Sequence, residues 1–504
     1  MNRFFRLMVL TSAISAPLGL LTAQAADPLE SAVPPAPAAS NSAEPVAHRL
    51  VGVAGCNAVS CHGGQSLAGG EGKDWLARDT NHRRAYDVLF NEVARNMATR
   101  LNLKHGAHNE ARCLACHSSA KEAVANSDDR WNCDAHPTSN DRRKCDEAGR
   151  PIGSPARAAN TIQGERFAIE FGVGCESCHG AASGWIAEHT TRTWKSRSTE
   201  YKTKLGFRDL TPLAARTETC VACHIGSPAA TVDHDLIAAG HPRLAFEMSA
   251  FHALLPKHWD AAAERQQDPG QEVRLWAIGQ AASAKAMSDI VGDRARKAGA
   301  SPLTPDFAEF DCNACHHDLW EKSYGNPTLS SPLGTPRWGS WTVRSAKFAV
   351  HKTASEESLK SLLAVMDRSR LGTAPANDVV AAAKQSSADL ATWIGTMDAT
   401  KYDAAQTTAL LHRLVDVESD AIWEKNKDGQ IRWDGQMQRY LAIAAASRSL
   451  QGLTGKSPFP PSSGSRALIP LRTHLNYRPS YATPSGYDPQ QVDPIAELRK
   501  SMTR

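Results

Sequence analysis

Four times in the 504 residues, two cysteines with two residues between them are followed at once by a histidine: Cys113, Cys116 and His117; Cys175, Cys178 and His179; Cys220, Cys223 and His224; Cys312, Cys315 and His316. With 12 cysteines and 19 histidines in the chain, chance predicts roughly 0.01 such matches. The spacing is the one at which two thiols add to the two vinyl groups of haem while the next imidazole reaches the iron. A zinc ribbon also pairs its cysteines, but has no reason to place histidine after each second one, and a thioredoxin-type site needs a single pair. Cys56, Cys61 and His62 make a fifth, looser site with two extra residues looped between the thiols. Cys61 and His62 keep the same sulfur-to-imidazole relation. A disulfide between Cys56 and Cys61 is the alternative, and so short a loop strains the bridge. The expectation is five covalently attached haem c groups, with His62, His117, His179, His224 and His316 as proximal ligands.

Each iron needs a second axial ligand or leaves a position open. His82, Tyr86, Leu89, Val93, Met97 and Leu101 recur at steps of three and four, which predicts one helix with His82 on its apolar stripe. His189 follows the third motif by ten residues, close enough to serve a neighbouring haem and too constrained to bend onto its own. The stretch 231–259 carries His234, His241, His252 and His258. Pro242 suits the first position of a helix running to about Leu255, so that His241 and His252, three turns apart, share a face. The candidate second ligands are therefore His82, His189, His241 and His252, with His234 as the fifth; His258, beside Lys257 and Asp260, reads as a surface residue. His105 and His108 sit in a polar loop, as ligand or solvated side chain. His317, His351 and His412 read as ordinary residues.

The elements that must position these groups are helical, since no stretch keeps the period-two alternation of a sheet. Residues 1–25, with Arg3 and Arg6, an apolar run and Ala23-Gln24-Ala25, read as a secretory signal, with an uncleaved anchor as the alternative; no later run is long enough to span a bilayer. Residues 26–47, rich in Pro, Ala and Ser, read as a disordered linker. Residues 48–330 form a multihaem domain of short helices and loops around stacked haems, which supply much of its core. A helical domain follows at 331–457, with helices expected over 358–368, 379–394, 407–423 and 433–450, then an extended tail at 458–504 with a last helix-like run near Asp493. The fold class is mainly α. Cys133 and Cys145, the two cysteines outside the motifs, read as a disulfide worth about 3 kcal/mol; Asp134 and His136 permit a metal site there instead.

Beyond the motifs, the chain resembles the multihaem cytochromes grouped with cytochrome c-554. The resemblance rests on the second motif, on Val173-Gly174-Cys175-Glu176-Ser177-Cys178-His179-Gly180 ending at His189, on Glu218-Thr219-Cys220 to His224, and on Trp75 followed by His82 and Ala85. It covers roughly residues 50 to 260. It implies a mostly helical protein with haems in parallel and perpendicular pairs, mostly bis-histidine ligated, His82 and His189 as distal ligands, and a further one between His234 and His252. The first site, the extra site at Cys312 and the C-terminal helices depart from that pattern.

The formal net charge is +4, which the propionates of about five haems would cancel, so no nucleic-acid face is implied. Covalent haem attachment in bacteria takes place outside the cytoplasm, which agrees with an exported, periplasmic protein. The expected function is electron transfer between redox proteins, a donor and an acceptor. The alternatives are an oxidoreductase acting on a small nitrogen or sulfur compound at one five-coordinate haem, and a haem subunit docked to a membrane respiratory complex. No Cys-x-x-Cys-Lys motif, the commonest sign of a nitrite-reducing haem, occurs.

Overall fold

The structure is a computed structural model that describes residues 48–58, 60–63, 75, 77–120, 168–298, 306–309, 338, 341–368, 375–416, 433–459, 495 and 498–500. The signal and linker, Cys133, Cys145, Asp134, His136, and Cys312 to His317 lie outside these residues. The described residues are mainly helical, with no strand among them and one isolated bridge between Ser227 and Ala230.

The organising element is the helix Gln271–Ala298, which packs along the helix Ala376–Ala399 and against Leu213–His224 and Trp433–Thr454. Its middle, residues 275–284, is rich in alanine, carries no charged side chain and is buried on every side, so it can be enclosed, while the charged residues gather toward its two ends. Leu275 and Ile278 enter one cluster with Met248, Leu359, Leu362, Met366, Leu390 and Ile394. Val273, Trp276 and Ala277 enter a second with Leu410, Leu414, Trp433, Met437 and Ile443. Some polar groups inside pair with one another: Gln280 donates to the Gln438 carbonyl at 3.1 Å, and Ser345 donates to Gln280. Buried Arg439 donates to the carbonyls of Leu414 and Asp416, where the helix Ala404–Val415 ends and leaves acceptors unfilled.

Three sequence expectations change here. The long helix falls inside the stretch expected to hold only short ones, and its core draws on residues from both sides of position 330. The single helix expected from His82 to Leu101 is three pieces, Thr80–Arg83, Asp87–Phe90 and Glu92–Arg100. Asp79 and Asn91 cap two of them, each accepting a backbone N–H from three residues on, and Val93 is left exposed. The helix expected from Pro242 starts only at Met248, because buried Glu247 accepts the N–H groups of Ser249 and Ala250 as its cap.

The helices expected over 358–368, 379–394, 407–423 and 433–450 are present as Ala354–Arg368, Ala376–Ala399, Ala404–Val415 and Trp433–Thr454, the third described only as far as Asp416. From the tail, Ile495 and Leu498 are fully buried in the second cluster.

Residues 48–260 are built differently. Their own apolar clusters are small: Leu89, Ala94, Ala107, Leu114 and Ile169 in one, Met97, Leu236 and Ala239 in another. Around them the chain runs in short helices and turns, and histidine rings occupy the middle.

Candidate functional site

Each of the four motif histidines among the described residues faces a second histidine. His62 and His189 have ring centres 6.2 Å apart. His82 and His224 are 6.2 Å apart, His117 and His241 6.4 Å, and His179 and His258 6.2 Å. These rings are too far apart to touch and too regularly spaced to be incidental. A metal–nitrogen bond is about 2 Å and a ring centre lies about 1.1 Å behind its nitrogen, so two imidazoles on opposite sides of one ion have centres about 6.2 Å apart. The pairs could therefore each hold one ion axially. Among the described residues no group of three or more His, Cys, Asp or Glu side chains converges as an all-protein cage would require. An ion held between two such rings would need further ligands that the described side chains do not supply.

The other ring nitrogen is committed in several members. His189 Nδ1 lies 2.6 Å from the Ile186 carbonyl, His241 Nδ1 2.8 Å from that of Pro242, and His117 Nδ1 2.7 Å from that of Ala85. His82 Nδ1 lies 2.8 Å from Asp79 Oδ2. An acceptor at Nδ1 fixes the tautomer with its proton there and leaves Nε2 with a lone pair, as a metal-ligating imidazole needs. Burial holds His179 and His224 down to about 4, with the facing histidine adding to the effect, so both are neutral near pH 7. His117 and His241 are lowered by the same cause. At His82 burial also works downward, but the hydrogen bond and charge of Asp79 outweigh it and the result is a raised value.

Cysteine pairs stand beside these rings. The Cys56 and Cys175 thiols hydrogen-bond to each other, which lowers Cys56 and, with burial, raises Cys175 far above the ordinary thiol value. Cys220 is pushed up to about 12, by burial first and then by nearby Cys178. The first and third motifs thus meet at one edge, and the third and fourth at another. Burial likewise raises Cys113 to about 11.

Backbone contacts lock the motifs together. Glu176, inside the third motif and buried, accepts the N–H groups of Val51 at 2.8 Å, Gly52 at 2.7 Å and Ala182 at 2.7 Å, so one carboxylate ties the approach to Cys56 onto the third motif. Ser119, just past the second motif, shares a 2.7 Å hydrogen bond with Ser177 and accepts the Gly174 N–H at 2.8 Å. The Val173 N–H donates to the His82 carbonyl at 3.0 Å. That approach needs Gly172, whose φ is +58° and whose absent Cβ would lie 2.7 Å from the His82 carbonyl oxygen.

His82, His189 and His241, expected as second ligands, each face a motif histidine; His252, also expected, faces none of the described ones. Its Nε2 lies 3.0 Å from Arg216 Nη1, its ring tilts against Trp259, and burial together with Lys257 and Arg216 depresses it to about 3. It belongs to a polar cluster in which Arg216 also bonds Glu264 at 2.7 Å. His258 takes the place facing His179, contrary to the surface position expected for it. The polar neighbours that suggested a surface are engaged locally instead: Lys257 donates to the Leu255 carbonyl at 2.9 Å and lies over the Trp259 ring, and Asp260, itself exposed, caps the helix Ala261–Gln267. His234 faces none of the described motif histidines. Its backbone N–H donates to Asp306 at 2.9 Å and its ring meets Phe307 edge-on, which sets it beside 306–309, just ahead of Cys312 in the chain. Of the loop histidines, His108 stacks on Phe90 and His105 is exposed.

No family model, curated protein or solved structure matches the chain. The reading of the site therefore rests on its own chemistry. No described helix is long and apolar enough to cross a membrane.

Proposed function

We propose that the chain is a multihaem c-type cytochrome, akin to the cytochrome c-554 group, that passes electrons between redox proteins in the periplasm. The observation that carries the reading is the conjunction of two independent patterns. Cysteine pairs at vinyl spacing come from the sequence, and an opposed imidazole at axial-ligand distance from each described motif histidine comes from the fold. Neither requires the other unless a haem lies between them.

Bound at these positions, haem would supply a one-electron ferric/ferrous couple. The chain's own residues do the rest. Cys56 with Cys61, Cys113 with Cys116, Cys175 with Cys178 and Cys220 with Cys223 anchor the groups, and Cys312 with Cys315 and His316 forms the fifth attachment site. His62 with His189, His117 with His241, His179 with His258, and His224 with His82 would each hold one haem between two imidazoles and leave no room for a substrate there, which favours a carrier over an enzyme. His234 is the proposed second ligand for His316, on its position beside 306–309. Contact between Cys56 and Cys175, and the closeness of Cys178 to Cys220, supports neighbouring haems near enough for rapid transfer.

Intact mass spectrometry of the exported protein tests the assignment: the mature chain, cut near Ala25, should carry five haem masses. Carbon monoxide should leave the reduced spectrum largely unchanged, and small electron carriers should oxidise the reduced protein quickly. A chain without haem, or rapid turnover of nitrite or hydroxylamine, would contradict it.

A further inference from the structure

The candidate second ligands differ in what holds their outer nitrogen. His189 and His241 place Nδ1 against neutral backbone carbonyls, of Ile186 and Pro242. His82 places it against a carboxylate, Asp79 Oδ2, at 2.8 Å. Asp79 is only 6 % exposed, and its other oxygen accepts the His82 backbone N–H at 3.4 Å, so the carboxylate is fixed to the same residue twice. Little water reaches it to screen the charge.

Resting on the haem reading above, we infer that Asp79 is a positioning and tuning residue that lowers the reduction potential of the haem held by His224 and His82. A carboxylate accepting Nδ1–H gives the imidazole partial imidazolate character and makes Nε2 a stronger donor. A stronger donor, with a fixed negative charge behind it, favours the ferric over the ferrous state. The carbonyls behind His189 and His241 polarise their rings less and carry no net charge. The centre at Cys220 and Cys223 is thereby set as a stronger reductant than its ligands alone would make it.

The test is a redox titration of the full-length holoprotein, followed optically and by electron paramagnetic resonance, on the parent, Asp79→Asn and Asp79→Glu. The His224 and His82 signal is assigned beforehand by its loss in His82→Ala. Asparagine keeps the shape and an acceptor oxygen for the Nδ1–H but carries no charge, its NH2 taking the place of the oxygen that lies 3.4 Å from the His82 backbone nitrogen. The expected result is an upward shift of that one potential in Asp79→Asn, with every haem still low-spin, the other potentials unmoved, and a return toward the parent value in Asp79→Glu. An unshifted potential with ligation intact would make Asp79 a helix cap only and overturn the inference, as would conversion of that haem to high spin in Asp79→Asn. Absence of haem from the parent protein would instead remove the functional reading on which the inference rests.

Discussion

The imidazole of His258 faces that of His179 with ring centres 6.2 Å apart and planes at 81°, although the whole Cys220 to His224 motif lies between them in the chain. His252, six residues earlier, is turned instead toward Arg216. The pair of substitutions His258→Ala and His252→Ala therefore separates a ligand from a neighbour. His258→Ala should convert one haem from low spin to high spin, seen in the optical and magnetic spectra, while His252→Ala should leave every haem low-spin. The reverse pattern would refute the assignment.

Glu176 should be felt at two motifs at once. Its carboxylate satisfies three buried N–H groups, and hydrogen bonds to a charged acceptor contribute about 1.5–3 kcal/mol each. Glu176→Gln keeps the shape but turns an NH2 group toward donors, so a loss of about 2–3 kcal/mol in denaturant unfolding is expected. Glu176→Ala should in addition lower haem occupancy at Cys56 and Cys61, measurable by mass. An unchanged unfolding midpoint in both variants would show that the carboxylate does not hold the two motifs together.

Acid should weaken the cluster around Glu264. Burial alone would raise this carboxyl, but hydrogen bonds from Arg216, Trp259 and Gln271 outweigh it and bring it down to about 2. A depressed carboxylate stabilises the fold above its ordinary value near 4.5, and that contribution is lost as pH falls through about 2. Glu264→Gln should thus be less stable than the parent at pH 6, with the gap closing between pH 4.5 and 2. A gap independent of pH would count against the ion pair as its source.

Gly279, in the middle of the helix Gln271–Ala298, has Met248 pressed against it: an added Cβ would lie 2.3 Å from the Met248 Cβ. That atom is next to the backbone and cannot swing away. Gly279→Ala should lower stability by about 1–3 kcal/mol, the usual cost of overpacking. Leu362→Ala, at a fully buried position, should cost about 2–5 kcal/mol by leaving a cavity. Thermal unfolding measures both, and a midpoint within error of the parent for either would contradict the packing described.

Much of this was legible in the residues, and what was not has physical causes. The cysteine pairs and the histidines that follow them are read from local spacing, which survives any fold. His82, His189 and His241 were reachable by phase and position, although the helix that seemed to carry His82 stops at Arg83 and a new α-helix starts only after its cap at Asn91. His258 was hidden because Lys257 and Asp260 look like solvent-facing neighbours, whereas one folds back over Trp259 and the other serves as a cap. The helix Gln271–Ala298 escaped for a different reason: its middle, residues 275–284, is buried on every side and has no polar face, so amphipathic periodicity does not reveal it. Glu176 gave no signal, because its three N–H partners come together only in the fold.

The central claim, that opposed histidines close both axial positions of covalent haems, is tested most directly by electron paramagnetic resonance of the oxidised protein at low temperature. Ring planes control the signal of a ferric bis-imidazole haem: near-parallel rings give a rhombic low-spin spectrum, and near-perpendicular rings a strongly anisotropic one. His62 and His189 are nearly parallel at 12°, whereas His82 with His224, His117 with His241 and His179 with His258 cross at 73°, 90° and 81°. The predicted result is one rhombic low-spin haem and three strongly anisotropic low-spin haems, together with the contribution of the His316 site. High-spin iron in two or more haems, or rhombic signals from all of them, would contradict the account.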